Sequence, residues 1–187
     1  MEDKLHIVAL LGSLRKDSFN RVVLQTALEI CPDEAYIDIA EIGNLPLFNA
    51  DFENNLPQPV VDFKAKIKSA DAILFVTPEY NYSIPGVLKN AIDWGSRPYN
   101  DNSWEEKPVG IMSASPGMLG ASRAQYHLRQ CFVFLNMFPI NRPEVIIGNV
   151  QEKIAEGKIN DQHTKDKMIE LLNSLIAWSR KLKGQNV

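Results

Sequence analysis

Cysteine is scarce in this chain: Cys31 and Cys131 are the only two, far apart and in no metal-ligand spacing. Neither opens a C-x5-R loop, because Ile37 and Met137 stand where the arginine would be. That argues against a low-molecular-weight tyrosine phosphatase, which shares this size and layout. In a reducing compartment both thiols are expected to be free, buried or incidental. Charge of one sign is missing as well. Twenty Lys and Arg oppose 23 Asp and Glu, for a net charge of −3 and a pI near 5.6. Such a surface has no general attraction for phosphate backbones, so no nucleic-acid partner is expected. No apolar run is long enough to span a bilayer. The start, Met1–Leu11 with Glu2 and Asp3, lacks the basic beginning and cleavage site of a secretory peptide. The expectation is a cytoplasmic protein without a membrane partner. Repeats, low-complexity tracts and linkers are absent, so residues 1–187 read as one domain. No Ser-His-Asp set, carboxylate pair or metal cluster stands out, and no metal is expected. His6 falls in a predicted strand, His127 on a helix and His163 near the start of the last helix, and each reads as structural or solvated.

What is present is a regular alternation. Leu5–Leu11, Ala35–Ile39, Asp71–Thr77, Lys107–Met112 and Val145–Ile147 are short runs rich in apolar and branched residues, the pattern of strands covered on both faces. Between them, apolar residues recur at helical spacing: Phe19, Val22, Val23, Ala27 and Ile30; Val60, Phe63 and Ile67; Val87, Leu88, Ala91 and Ile92; Ala121, Ala124 and Leu128; then Met168, Leu171, Leu172, Leu175, Ile176 and Leu182. Strands alternating with helices predict an α/β fold with a doubly wound, five-stranded parallel sheet. The flavodoxin-like order 2-1-3-4-5 places a ligand between strands 1 and 3, outside their carboxyl ends. The loops after Leu11 and Thr77 are therefore the ones to inspect.

The first loop runs Gly12–Asn20. It matches neither G-x-G-x-x-G nor G-x-x-x-x-G-K-[ST]. It sets Ser13, Ser18 and Asn20 around a helix start with Arg15 between them, a donor set suited to a phosphate monoester. The same residues would also serve as an ordinary helix cap. The second loop, Thr77–Gly86, is dense in Pro, Tyr and Asn. Pro78 and Pro85 restrict the backbone, and Tyr80 and Tyr82 offer flat amphipathic surfaces. It reads either as a cradle for a planar ring or as a packed turn at a subunit contact. The third loop, Ser113–Gly120, follows strand 4 on the same rim, and its small residues allow a ring to approach the backbone.

Gly12-Ser13-Leu14-Arg15, Ser18 and Asn20 resemble the phosphate loop of the NADPH-dependent FMN reductases. Pro78-Glu79-Tyr80-Asn81, Ser83 and Pro85-Gly86, continuing through Leu88–Trp94, resemble that family's flavin-ring loop. Ser113–Gly120 with Arg123-Ala124 is similar to its third loop. The likeness is to the bacterial quinone and chromate reductase and azoreductase branch, and extends from the first strand to about Ile147. It implies a flavodoxin-like oxidoreductase with non-covalent FMN, reduced by NADPH or NADH. Quinones, azo compounds, chromate or free flavin would be its small-molecule acceptors. By position, Ser13, Arg15, Ser18, Phe19 and Asn20 would hold the FMN phosphate. Pro78, Glu79, Tyr80, Asn81 and Ser83 would line the ring, with Ser113, Ser115 and Gly117 on its other side. Arg15 would instead serve the nicotinamide nucleotide's phosphate in a second arrangement. The flavin, not a protein acid or base, would carry the chemistry. The family also implies a homodimer or homotetramer, with Arg123, Tyr126, His127 and Arg129 either at the contact or on an exposed basic face. An FMN-binding electron carrier or regulator without turnover is the alternative.

Overall fold

Six short parallel strands share one sheet in the computed structural model, which describes residues 4–184. β1 (Leu5–Leu11), β2 (Ala35–Ala40), β3 (Ala72–Thr77), β4 (Pro108–Ala114), β5 (Phe138–Pro139) and β6 (Val145–Ile147) follow the chain. Their order is β2-β1-β3-β4, and β5 and β6 divide the fifth place between them. β5 pairs with Pro108 and Val109 at the start of β4, and β6 with Met112–Ala114 at its end. The sequence predicted only the second piece. The Phe138 and Ile140 N–H groups donate to the Lys107 and Val109 carbonyls on either side of Pro139, and Pro143 lies in the segment that bends away before the chain returns.

Both faces of the sheet are covered. Ile7, Ala9, Leu11, Leu74, Val76 and Met112 pack with α1 (Phe19–Glu29) and α5 (Gln162–Leu182) through Val23, Ala27, Met168 and Leu172. Val8, Leu10, Ile73, Phe75 and Ile111 pack on the other side. There they meet α2 (Gln58–Ser69), α3 (Gly86–Gly95) and α4 (Ser122–Leu135) through Phe63, Ile67, Leu88 and Leu128. Covered on both faces in the middle of the sheet, β3 and β4 are buried at every residue, whereas the edge strand β2 leaves Tyr36 exposed. That is why they read as unbroken apolar runs.

Two segments between the main elements also have fixed structure. The Pro-rich stretch after β2 is anchored on α3: the Pro46 carbonyl accepts from Asn90 Nδ2 at 2.9 Å and from Trp94 Nε1 at 2.7 Å. Past β6, β7 (Ile154–Ala155) and β8 (Lys158–Ile159) make an antiparallel hairpin. The sequence predicted no element there. Its turn residues Glu156 and Gly157 both have positive φ, and Gly157 was the one local sign of it. Among the described residues no helix is long and apolar enough to cross a membrane. The acidic start, Glu2 and Asp3, lies outside the described residues.

Candidate functional site

The carboxyl ends of β1 and β3 meet at Gly12 and Thr77. A side chain at Gly12 would put its Cβ 2.6 Å from Thr77 Oγ1 and 3.2 Å from Leu88 Cδ2. Only glycine lets the two strands end side by side, and this close approach sets the width of the rim.

Beyond Gly12 the first loop rises to α1. Ser18 is the N-cap, with extended backbone, yet its side chain makes no cap bond and the first turn holds no acidic residue. An α-helix begins with N–H groups that lack intrahelical partners, and its dipole favours an anion there. Ser13 is buried, 3.3 Å from the Tyr80 hydroxyl, and accepts weakly from the Arg15 N–H at 3.4 Å. The exposed Arg15 guanidinium donates to the Asp17 carbonyl at 3.0 Å, within its own loop. Phe19 packs its ring against the core. Asn20 behaves differently from the other polar residues here. Its buried amide donates to the Ala114 carbonyl at 2.9 Å and accepts from the Ala114 N–H at 3.0 Å. The last β3–β4 partners are Thr77 and Ser113, so Asn20 satisfies the backbone N–H and carbonyl of Ala114, the first residue of β4 beyond that pairing.

The second loop closes in a tight turn in which Tyr80 and Ser83 exchange two backbone bonds of 3.0 Å. Asn81 and Tyr82 between them have φ of 49° and 68°, the signature of a type I′ turn, and one that disfavours a bulky residue such as Tyr82. Strain of this kind persists only where neighbours hold it. They do so from α4. The Glu79 carboxylate accepts from Arg123 Nε at 2.6 Å, pairs with its Nη2, and accepts from the Ala124 N–H at 3.4 Å. It thus caps α4, whose own N-cap, Ala121, has no side-chain oxygen. The Arg123 guanidinium also lies 3.5 Å over the Tyr82 ring. Its hydrogen bond to Glu79 is the main cause holding it above its ordinary pKa. Ser83 Oγ, finally, sits 2.9 Å from His127 Nδ1. Pro78 is half-buried at the root of this loop, while Tyr80 and Asn81 are exposed at its tip.

The third loop rests on a buried network. Ser113 is fully buried, donates to the Gly120 carbonyl at 2.6 Å and accepts from Gln125 Nε2 at 2.8 Å. Ser115 donates to the Gly117 carbonyl at 3.0 Å. Gly117 and Met118 lie at the exposed edge. A Cβ at Gly148 would collide with the Met118 carbonyl, so this loop lies flat on the segment leaving β6.

All thirteen residues singled out in the sequence therefore fall on the three loops of one rim or directly behind them. Arg15, Tyr80, Asn81 and Gly117 are exposed on the loops, Ser115 is half-buried, and Ser13 and Ser18 are buried at the foot of the first loop. Asn20, Glu79 and Ser113 spend their side chains on protein partners that position the loops, and Phe19, Pro78 and Ser83 set where the loops start and turn. Sequence reasoning passed over Gln125, Gly148 and the contact made by His127. Of the basic stripe on α4, Arg123 and His127 face the second loop, and Arg129 donates to the Ile140 carbonyl at 2.8 Å. Tyr126 remains exposed.

Residues 5–152 match the model of the NADPH-dependent FMN reductase family. An NAD(P)H-dependent FMN reductase of Pseudomonas aeruginosa is 44% identical over 98% of this chain and all of its own length. A quinone reductase of Escherichia coli is 42% identical over 98% of this chain and all of its own. Among solved structures, the flavoenzyme NAD(P)H:(acceptor) oxidoreductase of Paracoccus denitrificans superposes with a TM-score of 0.87 at 34% identity, covering 95% of this chain and 98% of that one.

Proposed function

This chain belongs to the NADPH-dependent FMN reductase family, and from that membership we propose that it passes reducing equivalents from NAD(P)H through bound FMN to quinones. The observation that carries the proposal is the rim itself. The uncapped start of α1, with Ser13, Ser18 and Arg15 beside it, lies next to a rigid aromatic turn at the switch point of the sheet. These groups fit a flavin monophosphate: hydroxyls, free helix N–H groups and a guanidinium for the phosphate, and backbone and tyrosine surfaces for a flat ring.

Ser13, Arg15, Ser18 and Phe19 would hold the phosphate, with Asn20 fixing the distance from α1 to β4. Pro78, Glu79, Tyr80, Asn81 and Ser83 would flank one side of the ring through their backbone and the clamp on α4. Ser115 and Gly117, supported by Ser113, would flank the other. When bound, FMN supplies the hydride-accepting and hydride-donating chemistry. The protein's part is to orient the donor and the acceptor and to limit water at the rim. Exposed Tyr80, Tyr82, Met118 and Leu119 leave an apolar approach for a planar acceptor, which favours a reductase over a carrier without turnover.

We take residues 1–187 as one unit that assembles as a homodimer or homotetramer. Val133 and Phe134 on α4, 83% and 76% exposed, are the apolar residues that support self-association. The protein should purify yellow or take up added FMN. It should also oxidise NAD(P)H with 1,4-benzoquinone far faster than free FMN does. A protein that binds no flavin would overturn the proposal, and flavin binding without turnover would leave the carrier in its place.

A further inference from the structure

His127 stands on α4 one turn beyond Arg123, exposed to solvent, with Nδ1 2.9 Å from the hydroxyl of half-buried Ser83. Quinone reduction by NAD(P)H moves one hydride and consumes one further proton. Resting on the function proposed above, we infer that His127 and Ser83 form the relay that delivers this proton to the acceptor oxygen. Ser83 gives its hydroxyl proton to that oxygen as the hydride's electron pair arrives. The Ser83 oxygen takes the Nδ1 proton of the doubly protonated imidazole, and solvent restores that proton to the now neutral ring. No other oxidant or reductant is required, and charge balances because the quinone gains one hydride and one proton.

Arg123, one turn before His127 on the same helix, has its charge taken by Glu79 and its face by Tyr82, and Arg129 donates to the Ile140 carbonyl. From α3, Lys89 and Asp93 neutralise each other at 2.5 Å and act on Cys131, one turn further along α4. His127 is therefore a positioning and relay residue that acts through Ser83.

Two acceptors test this with the flavin-loaded protein. 1,4-Benzoquinone needs the proton, whereas ferricyanide takes electrons without one. His127→Gln should lower the ratio of quinone rate to ferricyanide rate by about a hundredfold, the lower end of what a positioned acid contributes, and added imidazole should restore part of it. If both rates fall together, or neither changes, the relay is overturned and the contact is structural. In flavin-free protein, nitrogen NMR of the His127 ring should report a changed tautomer balance in Ser83→Ala; an unchanged spectrum also overturns it. Failure of the underlying function would show earlier, as a wild-type protein that oxidises no NAD(P)H with either acceptor.

Discussion

Asn20→Ala separates a ligand-binding role from a positioning one. The side chain is 2% exposed and makes two bonds to one residue, donating to the Ala114 carbonyl at 2.9 Å and accepting from its N–H at 3.0 Å. Truncation leaves both backbone groups without partners at the end of a fully buried strand. A buried polar group deprived of its partner costs about 1–3 kcal/mol. With some relief from water entering the vacated space, a total of about 2–4 kcal/mol is expected. In a chain of this size each kcal/mol moves the melting temperature by about 2–4 °C, so a fall of roughly 5–15 °C should follow. The assay is thermal unfolding of the flavin-free protein, followed by FMN titration. Asn20→Asp should not rescue, because it keeps the acceptor but sets a carboxylate oxygen against the Ala114 carbonyl. Flavin affinity should weaken in both variants, since the third loop begins at Ala114. If Asn20→Ala lost FMN affinity with its melting temperature intact, the amide would be touching the ligand and the paired bond would not explain the residue.

Three further outcomes are expected. Gly12→Ala should lower the urea midpoint by an amount equivalent to about 1–3 kcal/mol, the usual cost of overpacking. Gly110→Ala, whose Cβ would meet Leu175 and Leu74 at an ordinary 3.5 Å, should cost much less; equal losses would refute the crowding argument. Asp161 accepts from the Thr164 N–H at 2.8 Å, capping α5, and its bonds to Thr164 are the main cause holding its carboxyl below the ordinary value. A depressed carboxyl stabilises the fold above the unfolded pKa of about 3.9 and loses that contribution as pH falls through the lower folded value. Asp161→Ala should therefore cost about 1 kcal/mol at neutral pH, and its denaturation curve should converge on the parent's in acid. Glu79→Gln should speed amide hydrogen exchange at Ala124 and across Tyr80–Ser83; unaltered exchange at both would show that the carboxylate does not hold the turn.

The division between what was legible and what was not follows the range of each interaction. The rim loops were legible because strand and helix periods locate β1, β3 and β4, and a doubly wound sheet then dictates which of their ends face the ligand. The split of the fifth strand was less so, since β5 contributes only Phe138 and Pro139 to pairing, too few residues for a period. The roles of Asn20, Glu79, Ser113 and His127 were not legible at all. Asn20 near a helix start and His127 on a helix face had ordinary local explanations, while Glu79 and Ser113 read as lining the ring. The actual partners of three of them lie far away along the chain, Ala114 for Asn20, Arg123 for Glu79 and Ser83 for His127, and Ser113 turns inward to Gly120 and Gln125.

By itself, then, the sequence determined the parallel sheet, the three loops that edge its switch point and the family to which the chain belongs, because apolar periodicity and contiguous motifs are local properties. Only the tertiary structure decided which polar residues face the opening and which hold it in shape. A hydrogen bond is made over about 3 Å in space whatever the separation in sequence, and only folding brings Asn20 to Ala114 or His127 to Ser83.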